Sequence, residues 1–250
     1  MIKYDRFIDE IPTKEEALAI LNAAGSEIPY LMAAANAVRE KYCGDEVHVC
    51  TLTNAKSGKC SENCKFCAQS SHFNTEAPNY GMKSREVLNE EFAQSLESGA
   101  EHFDIVTSGK RLEKESIEFK TIIGFLQDNR DSEIKFCISA GLIGKEEAEL
   151  LKKAGLSRYH NNIQTSVEKY EELVSSTHTV YDRIDAVKHA QNAGLEVCCG
   201  GIIGLGETLE DRVNMAFTLK DLNVDSVPIN VLNPIKGTPL EKMELQSVDD

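Results

Sequence analysis

The residues most able to do chemistry lie in one short stretch, Cys60-Ser-Glu-Asn-Cys64-Lys-Phe-Cys67. Its thiols are spaced C-x3-C-x2-C, with no fourth cysteine close by. That is one ligand short of a closed structural zinc site, which takes a fourth Cys or His at its own spacing. Cysteine thiolates also hold iron–sulfur clusters. Three of them around a 4Fe–4S cube leave one iron open, and an open iron can bind a substrate. A zinc knuckle is the bland alternative for the same thiols.

Such a loop must be held by stiffer elements. It follows an apolar, strand-like run at 47–52 and a small-residue loop at 54–59, which puts it at the carboxyl end of a strand. Beyond it a unit repeats, in which a helix ends on a small residue plus glycine and an apolar strand begins. Ser98-Gly99, Ala154-Gly155 and Ala193-Gly194 each mark such a junction. Glycine ends a helix there because it reaches the left-handed conformation without a Cβ clash. The pattern predicts strands near 47–52, 102–107, 134–139, 158–164, 196–203 and 226–232, with helices between them, for example 145–153 and 181–192. Alternation of this kind gives parallel βαβ units and an α/β fold class. Six such units with chemistry at the strand ends predict a βα barrel of the TIM type. A doubly wound sheet would want a glycine-rich phosphate loop after its first strand, where this chain has cysteines. A full barrel needs two more units, so the barrel is expected to be incomplete and the chain a truncated form of a longer protein. Residues 1–45 read as a helical N-terminal extension, opened by Thr13 and Glu16 in a capping box, and residues 46–250 as the barrel.

At 250 residues the chain can bury one large core. A net charge of −14 argues against a nucleic-acid partner, which needs a basic face. There is no apolar signal region and no run of about 18 apolar residues. No membrane contact is expected, and the expected location is cytoplasmic. Eight cysteines with this clustering fit metal chemistry better than a disulfide framework.

The cysteine spacing resembles that of the radical S-adenosylmethionine enzymes, and three further segments narrow the likeness. Tyr159-His-Asn-Asn-Ile-Gln-Thr-Ser166 lies on the fourth expected strand. Cys198-Cys-Gly-Gly-Ile-Ile-Gly-Leu-Gly-Glu-Thr208 lies on the fifth, and Val227-Pro-Ile-Asn-Val-Leu-Asn-Pro-Ile-Lys-Gly-Thr-Pro-Leu240 on the sixth. In this order they resemble the biotin synthase family. That family joins two cleavages of S-adenosylmethionine to insertion of sulfur into dethiobiotin, which closes the thiophane ring.

The resemblance implies roles. Cys60, Cys64 and Cys67 would hold a 4Fe–4S cluster whose open iron takes the amino and carboxylate groups of S-adenosylmethionine. An electron would then split the sulfonium into methionine and a 5′-deoxyadenosyl radical. Phe66 would lie near the adenine, Arg183 would pair with the methionine carboxylate, and Asn162 and Gln164 would hold the ribose. Gly200, Ile202 and Gly204 would form a glycine-rich adenine wall. Asn162 and Asn230 would also hold the ureido ring of dethiobiotin, since an amide offers both donor and acceptor to a cyclic urea. The family also implies a homodimer and a reducing partner such as flavodoxin or ferredoxin.

Two departures stand out. The family's ribose aspartate is Gln164 here, which keeps a hydrogen-bonding group but drops the charge. The family's auxiliary 2Fe–2S site uses three cysteines and an arginine, and Asp104 stands where the first cysteine belongs. Cys137 and Cys198 match the other two, and Cys199 replaces a usual serine. The thiol count is thus kept at three, and a 4Fe-type auxiliary cluster on Cys137, Cys198 and Cys199 is expected rather than 2Fe–2S.

Each assignment has a bland counterpart. Cys137 could be a buried core cysteine. Adjacent strand residues point to opposite faces, so Cys198 and Cys199 reach one site only if a bulge at Gly200-Gly201 re-aims them. Cys43 and Cys50 match no motif. Asn162 and Asn230 could simply fill the barrel, and His160 is open between a site role and a strand role. His48, His72, His102, His178 and His189 read as structural or surface residues. Glu/Lys runs such as 110–120 read as solvated faces. The rival functions are a radical mutase or maturase without sulfur chemistry and a non-catalytic iron–sulfur carrier.

Overall fold

The computed structural model describes residues 4–247, so positions 1–3 and 248–250 of the two expected units lie outside the described residues. Five parallel strands pair in chain order: β1 (Cys50–Lys56), β2 (His102–Thr107), β3 (Lys135–Ser139), β4 (Arg158–His160) and β5 (Glu196–Cys198). A second parallel pair, β6 (Gly201–Ile203) and β7 (Ile229–Val231), follows. Bridges at Gln164–Gly201 and Cys198–Ser226 carry the first sheet into the second. The result is a curved, open wall of a βα barrel, in agreement with the expected fold class.

The helices are α1 (Lys14–Leu21), α2 (Ile28–Cys43), α3 (Arg85–Glu97), α4 (Ile117–Asp128), α5 (Lys145–Ala154), α6 (Tyr170–Leu173), α7 (Val180–Asn192) and α8 (Leu209–Asp221). Thr13 and Glu16 form the expected capping box, with the Thr13 amide donating to Glu16 Oε2 at 2.9 Å. Gly155 ends α5 with φ +113°, the left-handed turn that the junction pattern requires. α1 packs on α8, where Lys14 Nζ donates to Asn214 Oδ1 at 2.7 Å.

Strand alternation sorts the wall into two faces. Phe103, Ile105, Phe136, Ile138, Tyr159 and Val197 face the helices and are buried. There Phe92 of α3 and Phe125 of α4 meet Phe103 and Phe136 with ring centroids 5.2–5.8 Å apart. Burial of that cluster fixes the strands from outside and leaves the concave inner face free for polar side chains.

Several boundaries differ from expectation: the fourth strand stops at His160 rather than at 164, and the last runs only Ile229–Val231 rather than 226–232. The first strand runs Cys50–Lys56, displaced toward the cysteine loop. Val47 and Val49 are exposed, while polar Thr53 and small Ala55 are buried against the helices, so mean hydropathy misplaces the strand. The expected fifth strand, 196–203, breaks into β5 and β6 at Cys199-Gly200.

Candidate active site

The cysteine loop leaves β1 through Ser57, which exchanges backbone hydrogen bonds with Tyr80 at the loop's far end. Gly58, at φ +80°, turns the chain, and its amide donates to Gln69 Oε1 at 2.6 Å. The Cys60 amide donates to the Gln69 carbonyl (2.9 Å) and the Cys67 amide to the Cys64 carbonyl (2.9 Å). Asn63 ties the loop to the segment before α7, accepting from Ser175 Oγ (2.8 Å) and donating to Ser176 Oγ (2.8 Å). The three thiols are thereby held on one rigid loop over the strand ends.

That loop roofs a cavity of about 240 Å³. Cys60, Cys64, Phe66 and Cys67 line it from above, and Asn162, Gln164 and Arg183 from the wall. The structure therefore brings together the expected cluster thiols and four of the expected cofactor-binding residues. Arg183 of α7 donates to Asn161 Oδ1 (2.7 Å), to the Asn162 carbonyl (2.9 Å) and to Tyr170 OH (2.5 Å). Each of these acceptors is neutral, so the guanidinium charge is available to an anionic ligand. Gln164 Oε1 and Asn161 Nδ2 are buried without a hydrogen-bond partner among the described residues, which fits polar groups arriving with a ligand.

The donor set fits an iron–sulfur cluster. Among the described residues no three His, Cys, Asp or Glu side chains converge on a single-ion site. Around a cube each thiolate binds its own iron, so wider spacing is what a cluster requires. Burial pushes the Cys64 thiol up to about 11 and raises Cys67 as well. Metal-free, these thiols hold their protons at neutral pH, and ligation must release them.

Sequence reasoning missed Glu62, His178 and Lys110. Glu62 lies between the first two cysteines, is buried, and meets His178 Nδ1 at 2.7 Å and Lys110 Nζ at 3.7 Å. Burial works against its charge, yet hydrogen bonds from Thr177, Ser61 and His178 hold the carboxyl below the usual range. Of the two readings of His178, structural or surface, its burial supports the first, and Lys110 sits at the cavity rim rather than on a solvated helix face. A carboxylate inside the cysteine spacing was the signal available.

A second polar line runs along the inner face. Gly200 N–H donates to Asn162 Oδ1 (2.8 Å), so that atom must be the amide oxygen. His160 Nε2, 3.0 Å from the same oxygen, is then the donor. His160 Nδ1 meets Ser139 Oγ (2.7 Å), and Ser139 Oγ meets Asp104 Oδ2 (2.9 Å). Burial raises the Asp104 carboxyl above its ordinary value, which suits a chain that shares protons. His160 lies both on β4 and on the cavity lining.

The remaining expected residues lie elsewhere. Gly200, Ile202 and Gly204 do not line the cavity. Gly200 is required by packing, since a Cβ there would sit 1.9 Å from the Pro228 carbonyl oxygen. Asn230 is exposed on β7 in register with Ile202, with its amide 3.5 Å from the Gly201 carbonyl. Cys137 is buried and Cys198 half-buried on the inner face. Cys199 departs from expectation: it is fully buried in the apolar core with Tyr159 and Val197. The break at Gly200 re-aims the chain only after Cys199, so simple alternation keeps the two adjacent thiols on opposite faces.

The family model of the radical SAM superfamily matches residues 55–219. Biotin synthase of Clostridium botulinum (strain Langeland) is 43% identical, covering all of this chain and 78% of that one. Biotin synthase of Acetivibrio thermocellus is 45% identical over 95% of this chain and 73% of its own length. Among solved structures, methylornithine synthase (PylB) superposes with a TM-score of 0.83 at 19% identity, covering 99% of this chain and 72% of that one. HydG, a maturase of the [FeFe]-hydrogenase, superposes with 0.78 at 18%, covering 97% and 56%. Those two likenesses concern the fold. By identity and coverage together, the chain belongs to the biotin synthase family of the radical SAM superfamily.

Proposed function

We propose that this protein makes biotin from dethiobiotin by radical insertion of sulfur. The observation that carries the reading is the convergence of Cys60, Cys64 and Cys67 with Arg183, Asn162 and Gln164 on one cavity. A carrier of iron–sulfur clusters has no need for a guanidinium and two amides aimed into a nucleoside-sized space.

Cys60, Cys64 and Cys67 would hold a 4Fe–4S cluster, which would supply the electron for reductive cleavage of S-adenosylmethionine. The chain's own part is placement. Arg183 neutralises the methionine carboxylate and is itself fixed by Asn161, Asn162 and Tyr170. Gln164 offers its unpartnered carbonyl to a ribose hydroxyl. Phe66, on the cavity side of the cysteine loop, covers the adenine. Asn162 and Asn230 hold the ureido ring of dethiobiotin. Glu62 and His178, which line the same cavity, tie the loop to the segment before α7, so the thiols keep their spacing during turnover.

Sulfur insertion calls for a second, auxiliary iron–sulfur cluster, which we place on the inner face at Cys137 and Cys198 and read as 4Fe-type. The reading takes residues 1–45 as an extension on the barrel at 46–250, a homodimer, a flavodoxin or ferredoxin as reductant, and a cytoplasmic location. Among the described residues no single helix is long and apolar enough to cross a membrane. Anaerobically purified, reduced protein given S-adenosylmethionine and dethiobiotin should yield 5′-deoxyadenosine and biotin. Deoxyadenosine without biotin would favour a mutase or maturase chemistry instead.

A further inference from the structure

The inner wall carries a group of thiols that the cysteine loop does not use. In the parallel ladder Cys50 pairs with His102, and His102 with Lys135. Cys137 stands two residues beyond Lys135, on the same face. Cys137 in turn pairs with Arg158, and Arg158 with Glu196. Cys198 stands two residues beyond Glu196, again on the same face. Each crossing of two strands thus climbs two residues.

That climb matches the tilt of an eight-stranded barrel, where the register shifts by about eight residues per turn. Side chains related in this way lie at one height, and alternate strands supply each inward layer. Cys50 on β1, Cys137 on β3 and Cys198 on β5 therefore form one layer of the barrel interior. Asp104 and His160 belong to the next layer, contributed by β2 and β4. Cys50 lies close enough to bear on the charge of both Cys137 and Cys198, and all three share Arg158 as a nearby cation. Asp104 points a buried oxygen, Oδ1, that has no hydrogen-bond partner among the described residues.

We propose that Cys50, not Cys199, is the third thiolate of the auxiliary cluster, beside Cys137 and Cys198. This rests on the reading of the protein as a sulfur-inserting enzyme with a second cluster. Three thiolates from one layer offer soft ligands to an iron–sulfide core, while the harder Asp104 carboxylate stays at its rim. Each thiol gives up its proton on ligation, and Arg158 offsets part of the negative charge gathered there. The cysteine absent at position 104 is thus replaced from the neighbouring strand rather than from the neighbouring residue of β5.

Thiol alkylation of the native protein tests this without turnover. Cys43 and Cys50 are both exposed, whereas Cys199 is buried. Iodoacetamide should label Cys43 and Cys50 in the cluster-free protein. After anaerobic reconstitution with iron and sulfide, mass spectrometry should find Cys50 and Cys198 protected and Cys43 still labelled. Cys50→Ala should then lose the iron, sulfide and Mössbauer signal of the second cluster, and Cys199→Ala should keep them. Protection of Cys198 with Cys50 still labelled would overturn the assignment of Cys50 alone. Cys50 and Cys198 both labelled after reconstitution would overturn the second cluster itself, and this assignment with it.

Discussion

Asn162 Oδ1 accepts the Gly200 amide at 2.8 Å, where the strand running from β5 to β6 breaks. A side chain from the end of β4 thus takes the place of a ladder carbonyl. The same break lets Gly201 N–H reach the Pro228 carbonyl (3.2 Å) and Cys199 N–H the Ser226 carbonyl (2.9 Å). One amide therefore serves both the strand and the cavity that Asn162 lines.

The close approach behind this break has a measurable cost. A Cβ at Gly200 would lie 1.9 Å from a backbone oxygen, whereas one at Gly81 meets nothing within 4 Å. Gly200→Ala should destabilise the protein by about 3 kcal/mol in denaturant unfolding. Gly81→Ala should stay within about 0.5 kcal/mol of the parent. Equal costs would contradict the packing argument.

Much of the wall was legible because strand–helix alternation and the glycine junctions are local signals. What failed was non-local. β1 slid because Thr53 and Ala55 are buried by helices that only the folded chain brings over them. Cys50, Cys137 and Cys198 come to one face of the wall only through the pairing of five strands, which no local spacing announces. Glu62, His178 and Lys110 meet across more than forty residues of chain in each pairing, so the carboxylate inside the cysteine spacing gave no hint of its two partners.

Arg183 should matter by shape as well as charge. Arg183→Lys keeps the charge but cannot span Asn161, the Asn162 carbonyl and an incoming carboxylate. Calorimetric titration of the cluster-loaded protein should show S-adenosylmethionine binding weakened by about 1.5–3 kcal/mol. Unchanged affinity would show that the carboxylate lies elsewhere.

Asn230 should separate the two ligands. It is exposed on β7, outside the cavity that Arg183 lines. Asn230→Ala is expected to weaken dethiobiotin by about 1–3 kcal/mol and to leave S-adenosylmethionine binding unchanged. Equal loss for both would assign Asn230 to the scaffold.

Asp211 sets an acid limit on stability. Burial alone would raise its carboxyl, but hydrogen bonds from the Thr208 amide, Ser166 and the Thr208 hydroxyl hold it below the usual range. The unfolded chain then binds the proton more readily than the folded one, so stability rises with pH. The contribution is full above about pH 4, the ordinary carboxyl value, and is lost as pH falls through the lower folded value. Asp211→Asn should cost about 1 kcal/mol at neutral pH and flatten the acid limb of the melting curve. An acid limb as steep as the parent's would sink this account.

The central claim is that the C-x3-C-x2-C loop cleaves S-adenosylmethionine over the Arg183 cavity. Release of 5′-deoxyadenosine by the reduced, iron- and sulfide-loaded protein tests it most directly. The account predicts release that rises with dethiobiotin and disappears in Cys60→Ala, Cys64→Ala and Cys67→Ala alike. Parent-level release from any one of these variants would contradict it.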